Sequence, residues 1–252
     1  MRFICIFLLS MFIGSQVSGI ELKVLSLKVS YKSDDTLQAW NYRKDGIINL
    51  IKSNPLDIFC IQQVLIDHIN DIASKMPGFD WVGVGCEDGI SQGEYAPIFY
   101  DARKYQLKEY GTFWLSKNFD EPGIEGICTY ACFEDYKTRE NFQIFNTNFE
   151  QLQLSENDAA RLIMDMINEL SGRKIAVLLT GDFSSVEKNF PIRYLRRKLD
   201  YENKENFERT DVNYIFVNKH LNIVKQEIID IPSAVYPEKY WPVYVETLYL
   251  KK

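Results

Sequence analysis

Apolar and polar positions alternate along the chain in a way that divides it into short strands and amphipathic helices. Residues 22–29 alternate well enough to predict a strand. Ile47, Leu50 and Ile51 recur at helical spacing and predict a helix over 41–53, stopped by Asn54-Pro55. The continuous apolar run at 57–61 predicts a buried strand, and a helix over 65–76 follows, ended by Pro77-Gly78. Further strands are predicted at 79–85, 95–101, 105–115, 126–134 and 141–148. Ser155 opens a helix over 155–171 as its N-cap, with Asp158 three residues on, and Leu162, Ile163, Met166, Ile167 and Leu170 share one face. The run at 175–179 predicts another continuous strand, ending at Thr180-Gly181-Asp182. A shorter helix near 190–199 and strands at 212–218, 222–230 and 243–250 complete the set. Strands and helices are mixed rather than strictly alternating, which predicts one domain of two packed sheets with outer helices.

The first residues carry a different pattern. Arg2 precedes an apolar run over 3–13 and small residues ending at Val17-Ser18-Gly19, the arrangement of a secretory signal peptide. About 11 apolar residues are too few to cross a bilayer, which takes roughly 20. The expected layout is a signal peptide over 1–19 and a single secreted domain over 20–252, with no membrane span once the signal is removed. Of the 252 residues 46% are apolar and 14% aromatic, enough for a substantial core. The balance of 29 basic against 35 acidic residues gives no bulk-charge signal for nucleic acid. Arg193, Arg196, Arg197 and Lys198 form the densest basic cluster and read as a solvated helix face.

Four cysteines follow the signal: Cys60, Cys86, Cys128 and Cys132. Behind a signal peptide they predict at least one disulfide, with three connectivities open. Cys128 and Cys132 cannot pair within one straight strand, since four residues at about 3.3 Å each hold them too far apart. Cys60, inside an apolar run, reads as a buried core thiol. His68 and His220 lie near no cysteine pair, so there is no zinc spacing.

A series of short motifs runs through the chain. Trp40 and Arg43 open the first helix; Pro55-x-Asp57 and Ile61-Gln62 bracket the second strand. Asp88-Gly89, Gly93-Glu94 and Pro97-Ile98-Phe99-Tyr100 come next, then Gly111-Thr112-Phe113-Trp114-Leu115-Ser116 and Pro122-Gly123. Asn146-Thr147, Arg161, Thr180-Gly181-Asp182-Phe183, Tyr214-Ile215-Phe216-Val217, Tyr236-Pro237 and Pro242-Val243 complete the order. The ordered set resembles the endonuclease/exonuclease/phosphatase superfamily, in its small secreted branch, over essentially the whole mature chain. The resemblance implies an α/β (α+β) fold, a four-layer sandwich of two mixed β-sheets flanked by helices. It also implies metal-dependent phosphoester hydrolysis, with magnesium or another divalent ion held by an Asn and a Glu at two strand ends. A His and an Asp near the phosphate, an Asp-x-Asn after a later strand and a terminal Asp-His pair complete that machinery.

This chain departs from the pattern at nearly every one of those positions. Lys28 stands at the metal-ligand Asn and Gln63 at the metal-ligand Glu. Cys86 replaces an Arg, Asn148 the His, Glu150 the Asp, and Ser184 the Asn that follows Asp182. Asn213 replaces an Asp, while Lys239 and Tyr240 replace the Asp-His pair. Asp182 alone keeps the family residue. Losing ligands and base together leaves a scaffold that binds without the machinery to react. The expectation is a catalytically inactive pseudoenzyme that needs no cofactor. Its cleft would be open to a phosphate-bearing ligand, or its loops 116–125 and 200–210 to a protein partner. A lysine ammonium, from Lys28 or Lys239, is expected against Asp182 where a metal would sit. The alternative is a residual metal-dependent phosphoesterase with a rearranged site. There Asp182, Glu94 and Glu150 would bind a weak divalent ion, or Cys86 would act as nucleophile.

Overall fold

Strands that read as unbroken apolar runs are buried on both faces, and that arrangement sets the architecture. The computed structural model describes residues 21–29, 40–123, 126–149, 152, 154–172, 175–183, 189–199, 213–230 and 242–249. In chain order the elements are β1 (Glu21–Lys28), α1 (Trp40–Ser53), β2 (Ile58–Gln62), α2 (Ile66–Lys75), β3 (Phe79–Val82), β4 (Ile98–Asp101), β5 (Tyr105–Trp114) and β6 (Ile127–Asp135). They continue with β7 (Asn141–Asn148), α3 (Glu156–Ser171), β8 (Ala176–Asp182), α4 (Phe190–Leu199), β9 (Tyr214–Val217), β10 (Leu221–Ile228) and β11 (Val243–Tyr249). One sheet has the order β10-β11-β1-β2-β4-β3 and the other β5-β6-β7-β8-β9. Both are mixed: β1 and β2 run parallel, as do β7 and β8, and the remaining pairs are antiparallel.

Strand β2 shows why the runs are continuous. Ile58 and Cys60 enter the cluster that also holds Val24, Ile98, Phe133 and Phe145 from both sheets. Phe59 and Ile61 point the other way, among Leu25, Leu27 and the helix residues Ile47, Ile51, Ile69 and Ile72. Helices α1 and α2 therefore cover one sheet, and both faces of its central strands are apolar. Ala159, Ala160, Ile163 and Ile167 of α3, with Ile192 and Leu195 of α4, extend the core beyond the second sheet. Ser155 caps α3 as its sequence position suggests, its hydroxyl accepting the Asp158 N–H at 3.2 Å. Arg193, Arg197 and Lys198 lie on the exposed side of α4.

Two element boundaries differ from the pattern reading. Strand β8 does not stop before Thr180-Gly181-Asp182 but carries these residues in the ladder, pairing Thr147 with Gly181 and Asn148 with Asp182. A side chain at Gly181 would collide with the Thr147 carbonyl, so the turn-like glycine is a close approach of two strands. Strands β3 and β4 are shorter than expected because the intervening loop has its own order. The Asp88 carboxylate accepts N–H bonds from Ile90, Ser91 and Gln92 at 2.8, 2.8 and 2.9 Å.

The expected disulfide does not form. Cys60, Cys86, Cys128 and Cys132 are all free thiols. Cys60 and Cys128 are core side chains, Cys86 packs with Ala96, Trp114 and Ile127, and Cys132 is half-buried on β6. Cys128 and Cys132 lie on that one strand, the geometry that forbids their pairing. Burial pushes the Cys60 thiol up to about 12 and raises those of Cys128, Cys86 and Cys132 as well.

Between the sheets lies a polar column within the apolar core. Gln62 Nε2 donates to Asn146 Oδ1 at 2.6 Å and to Ser26 Oγ at 3.2 Å. Asn213 Nδ2 donates to Gln62 Oε1 at 2.6 Å and to Ser26 Oγ at 3.2 Å. Asn146 Nδ2 donates to the carbonyls of Ile61 and Pro97, both at 2.9 Å, and its Oδ1 also accepts from the Thr180 hydroxyl at 3.1 Å. All five side chains are at most 1% exposed. A satisfied buried network of this kind fixes one relative placement of its two sheets, because any shift strands donors away from water.

Two outcomes follow from this packing. Asn146→Ala removes four buried hydrogen bonds at once and should lower the unfolding free energy by about 3 kcal/mol, measured by urea denaturation; a loss below about 0.5 kcal/mol would show that the column is not structural. Alkylation without reductant should modify all four thiols in the denatured protein, and chiefly Cys132 in the native one, because the other three are buried. Fewer than four modified thiols after denaturation would restore the disulfide.

Candidate functional site

The site begins one pleat above the polar column. Side chains two residues apart on a strand share a face, so Lys28 stands above Ser26, Asn148 above Asn146 and Asp182 above Thr180. Gln63 follows directly on Gln62. The ladders hold these strand ends level: Lys28 is in register with Gln62, and Asn148 with Asp182. The Val29 N–H donates to the Gln62 carbonyl and the Phe149 N–H to the Asp182 carbonyl, both at 2.9 Å, which keeps the two parallel pairs closed to their ends.

At the centre, Lys28 Nζ lies 2.8 Å from Asp182 Oδ2. The side chains are 9% and 1% exposed. This is a buried ion pair joining the end of β1 in one sheet to the end of β8 in the other. Beside it, Asn148 Nδ2 donates to Glu94 Oε2 at 3.2 Å, tying β7 to the segment between β3 and β4. Gln63 is buried and holds a backbone φ of 58°, a conformation that side-chain-bearing residues rarely adopt. Its Nε2 is buried and meets no hydrogen-bond acceptor among the described residues.

Two sequence candidates sit elsewhere. Asn213 belongs to the polar column, where its amide bonds Gln62 and Ser26 at the start of β9. Cys86 turns its thiol into the small apolar cluster with Ala96, Trp114 and Ile127. Burial first, and then the nearby Glu94 and Glu87 carboxylates, raise its pKa, so it is a poor nucleophile at neutral pH. Its backbone has a positioning role instead: the carbonyl accepts from Trp114 Nε1 at 2.7 Å and from the Gly123 N–H at 3.0 Å. Glu150, Ser184, Lys239 and Tyr240, with the signal segment and loop 200–210, lie outside the described residues.

Trp40 and Arg43, the first pair of motif residues, act on the helical layer. Trp40 stacks on His68 with ring centroids 4.5 Å apart and donates to Asp71 at 2.7 Å, while Lys44 meets the same carboxylate at 3.1 Å. These contacts clamp α1 to α2. Burial, and then the charge of buried Arg43, hold the His68 pKa below its ordinary value, which keeps the stacked imidazole neutral.

The donor set decides what the site can hold. A divalent ion needs oxygen ligands, preferably carboxylates. Here an ammonium occupies the Asp182 carboxylate, and an amide stands at Gln63. Among the described residues no three His, Cys, Asp or Glu side chains converge as a metal site. Among the described residues, the donors at Lys28, Gln63 and Asp182 do not fit the metal that the fold family uses.

No family model matches the chain. An uncharacterised protein of Acanthamoeba polyphaga mimivirus is 25% identical over 223 residues, spanning 81% of this chain and 83% of its own length. Among solved structures, an endonuclease/exonuclease/phosphatase from Bacteroides vulgatus is 26% identical and covers 92% of this chain and 100% of that one, with a TM-score of 0.82. A mannosyl-6-phosphatase of Bacteroides thetaiotaomicron shares the fold at 24% identity, covering 90% of this chain and 100% of its own with a TM-score of 0.78. Two mixed sheets in this order, four flanking helices and a whole-chain match of that extent agree with the ordered motifs: the chain belongs to the endonuclease/exonuclease/phosphatase superfamily.

Proposed function

We propose that this protein is a non-hydrolytic member of the superfamily, a secreted pseudoenzyme whose cleft binds a phosphate-bearing ligand without turning it over. The buried Lys28–Asp182 pair carries the reading. A cation placed within 2.8 Å of the one retained family carboxylate repels a divalent ion and uses the lone pairs that would ligate it. With Gln63 in place of a carboxylate, no strong anionic ligand stands at either of the two metal-ligand positions. Asn148, where the family pattern has a His, cannot exchange a proton near neutral pH. Lys28 and the unused Gln63 amide donor favour an anionic oxygen in the cleft over a metal. Export is supported by the pattern over 1–19, and burial of Cys60, Cys86 and Cys128 shields those thiols from an oxidising medium.

The reading has direct tests. With Mg²⁺, Mn²⁺ or Ca²⁺, phosphomonoesters and phosphodiesters should be hydrolysed at the uncatalysed rate; metal-dependent turnover that vanishes in Asp182→Ala would overturn it. A thermal-shift screen of nucleotides, phosphoinositides and sugar phosphates should find stabilising compounds whose effect survives EDTA and is lost in Lys28→Met. A screen with no stabilising compound would remove the ligand-binding half.

The ion pair also has a stability signature. Lys28→Met leaves a buried carboxylate without its cation and should cost about 3–5 kcal/mol in urea unfolding with EDTA present. A neutral substitution would show that Asp182 does not depend on Lys28.

A further inference from the structure

We infer that the chain has a second ligand site, at the end of β8 remote from Asp182, which takes an anion carried on a compact apolar body. The inference goes beyond the reading of the cleft and does not depend on it. A cavity of about 550 Å³ opens where α3 and α4 end against the start of β8 and the turn between β9 and β10. Ligand pockets occupy roughly 300–1,000 Å³, so a small organic molecule fits. Val177 lines the cavity near the start of β8, and Asp182 ends that strand five residues on. At about 3.3 Å per residue the two places lie about 16 Å apart. The cavity is no part of the cleft.

Its walls are fixed by the fold. Asn218 Oδ1 accepts the N–H groups of Val177 and His220, both at 3.2 Å, and its Nδ2 donates to the Ile175 carbonyl at 2.8 Å. These bonds pin the turn that carries Lys219 to the first residues of β8. The floor is apolar, formed by Ile167, Val177 and Leu199, all buried. Ser171 lines the cavity as well, and its buried hydroxyl has no hydrogen-bond partner among the described residues. Such a hydroxyl carries a desolvation cost that an acceptor on a ligand would remove.

Charge decides the sign of the ligand. The C-terminal residues of α3 and α4 line the cavity, and each helix end brings about half a negative charge. Lys198 and Lys219 bring two positive charges, and among the described residues no Asp or Glu lines the cavity. Neither lysine makes an ion pair among the described residues; Lys198 rests over the Tyr194 ring, 5.7 Å from its centroid. The sum is about one positive charge before His220 is counted, on a chain whose formal net charge is −6. A positive rim over an apolar floor favours an amphiphilic anion over a bare ion, which the floor would not hold, and over a neutral molecule, which the rim would not.

The experiment titrates the full-length protein with anilinonaphthalene sulfonate, an aromatic body bearing one anionic group, and reads the dye's fluorescence. The wild type should bind about one dye per chain. Lys198→Gln with Lys219→Gln should weaken binding at least about tenfold at an unchanged urea midpoint, because both side chains are exposed. Lys137→Gln with Lys225→Gln, an equal loss of charge elsewhere on the surface, should bind the dye as the wild type does. The uncharged parent, phenylnaphthylamine, should bind at least about tenfold more weakly than the sulfonate. Displacement of the dye by hexyl phosphate or by hexanoate supports the inference and identifies the preferred head group, with hexanol as the neutral control. No dye bound, or binding that the Lys198 and Lys219 exchange leaves intact, would overturn the inference. So would equal weakening in the control pair, equal affinity for the uncharged parent, or displacement by hexanol as readily as by the anions. Ligands of the cleft should still stabilise the Lys198→Gln, Lys219→Gln protein, so the failure of one reading is distinguishable from the failure of the other.

Discussion

A carboxylate buried at the end of a central strand has to be neutralised, and the rest of this site is arranged around how Asp182 is. Water cannot do it, because the side chain is 1% exposed. A lysine on the facing sheet does, at 2.8 Å. Such a pair contributes little net stability relative to an apolar one, since desolvating both charges offsets their attraction. Its consequence is competition: with the ammonium 2.8 Å from Oδ2, a second cation at that oxygen is repelled. On the reading proposed above, that counter-ion is what would set this chain apart from a metal-dependent hydrolase on the same backbone.

The choice is available only because the two sheets hold still. Lys28 comes from β1 and Asp182 from β8, strands that share no ladder. Their separation is set by the packing between the sheets and by the polar column directly beneath. Ser26 and Gln62 from one sheet, Asn146, Thr180 and Asn213 from the other, bond one another across the gap. Apolar packing alone tolerates small slides at modest cost, whereas a hydrogen-bonded column loses several bonds together when it slides. The column thus performs the same service for an ion pair that it could for a metal.

Much of the framework was legible in the sequence because the physics that builds it is local. Apolar runs bounded by Pro, Gly and Asn marked the strands, and the Ser155–Asp158 spacing marked the cap of α3. What escaped the pattern was non-local. Thr180-Gly181-Asp182 looks like a turn, yet β7 keeps it extended by pairing through Asn148 and Asp182. Asn213 looked like a cleft residue and is a member of the column, a role visible only once both sheets are in place. Ser26, Gln62 and Thr180 did leave a signal, as single polar residues inside otherwise apolar strands. The missing disulfide reflects a count of cysteines that cannot convey direction: Cys60 and Cys128 are committed to the core, and Cys86 to an apolar cluster of its own.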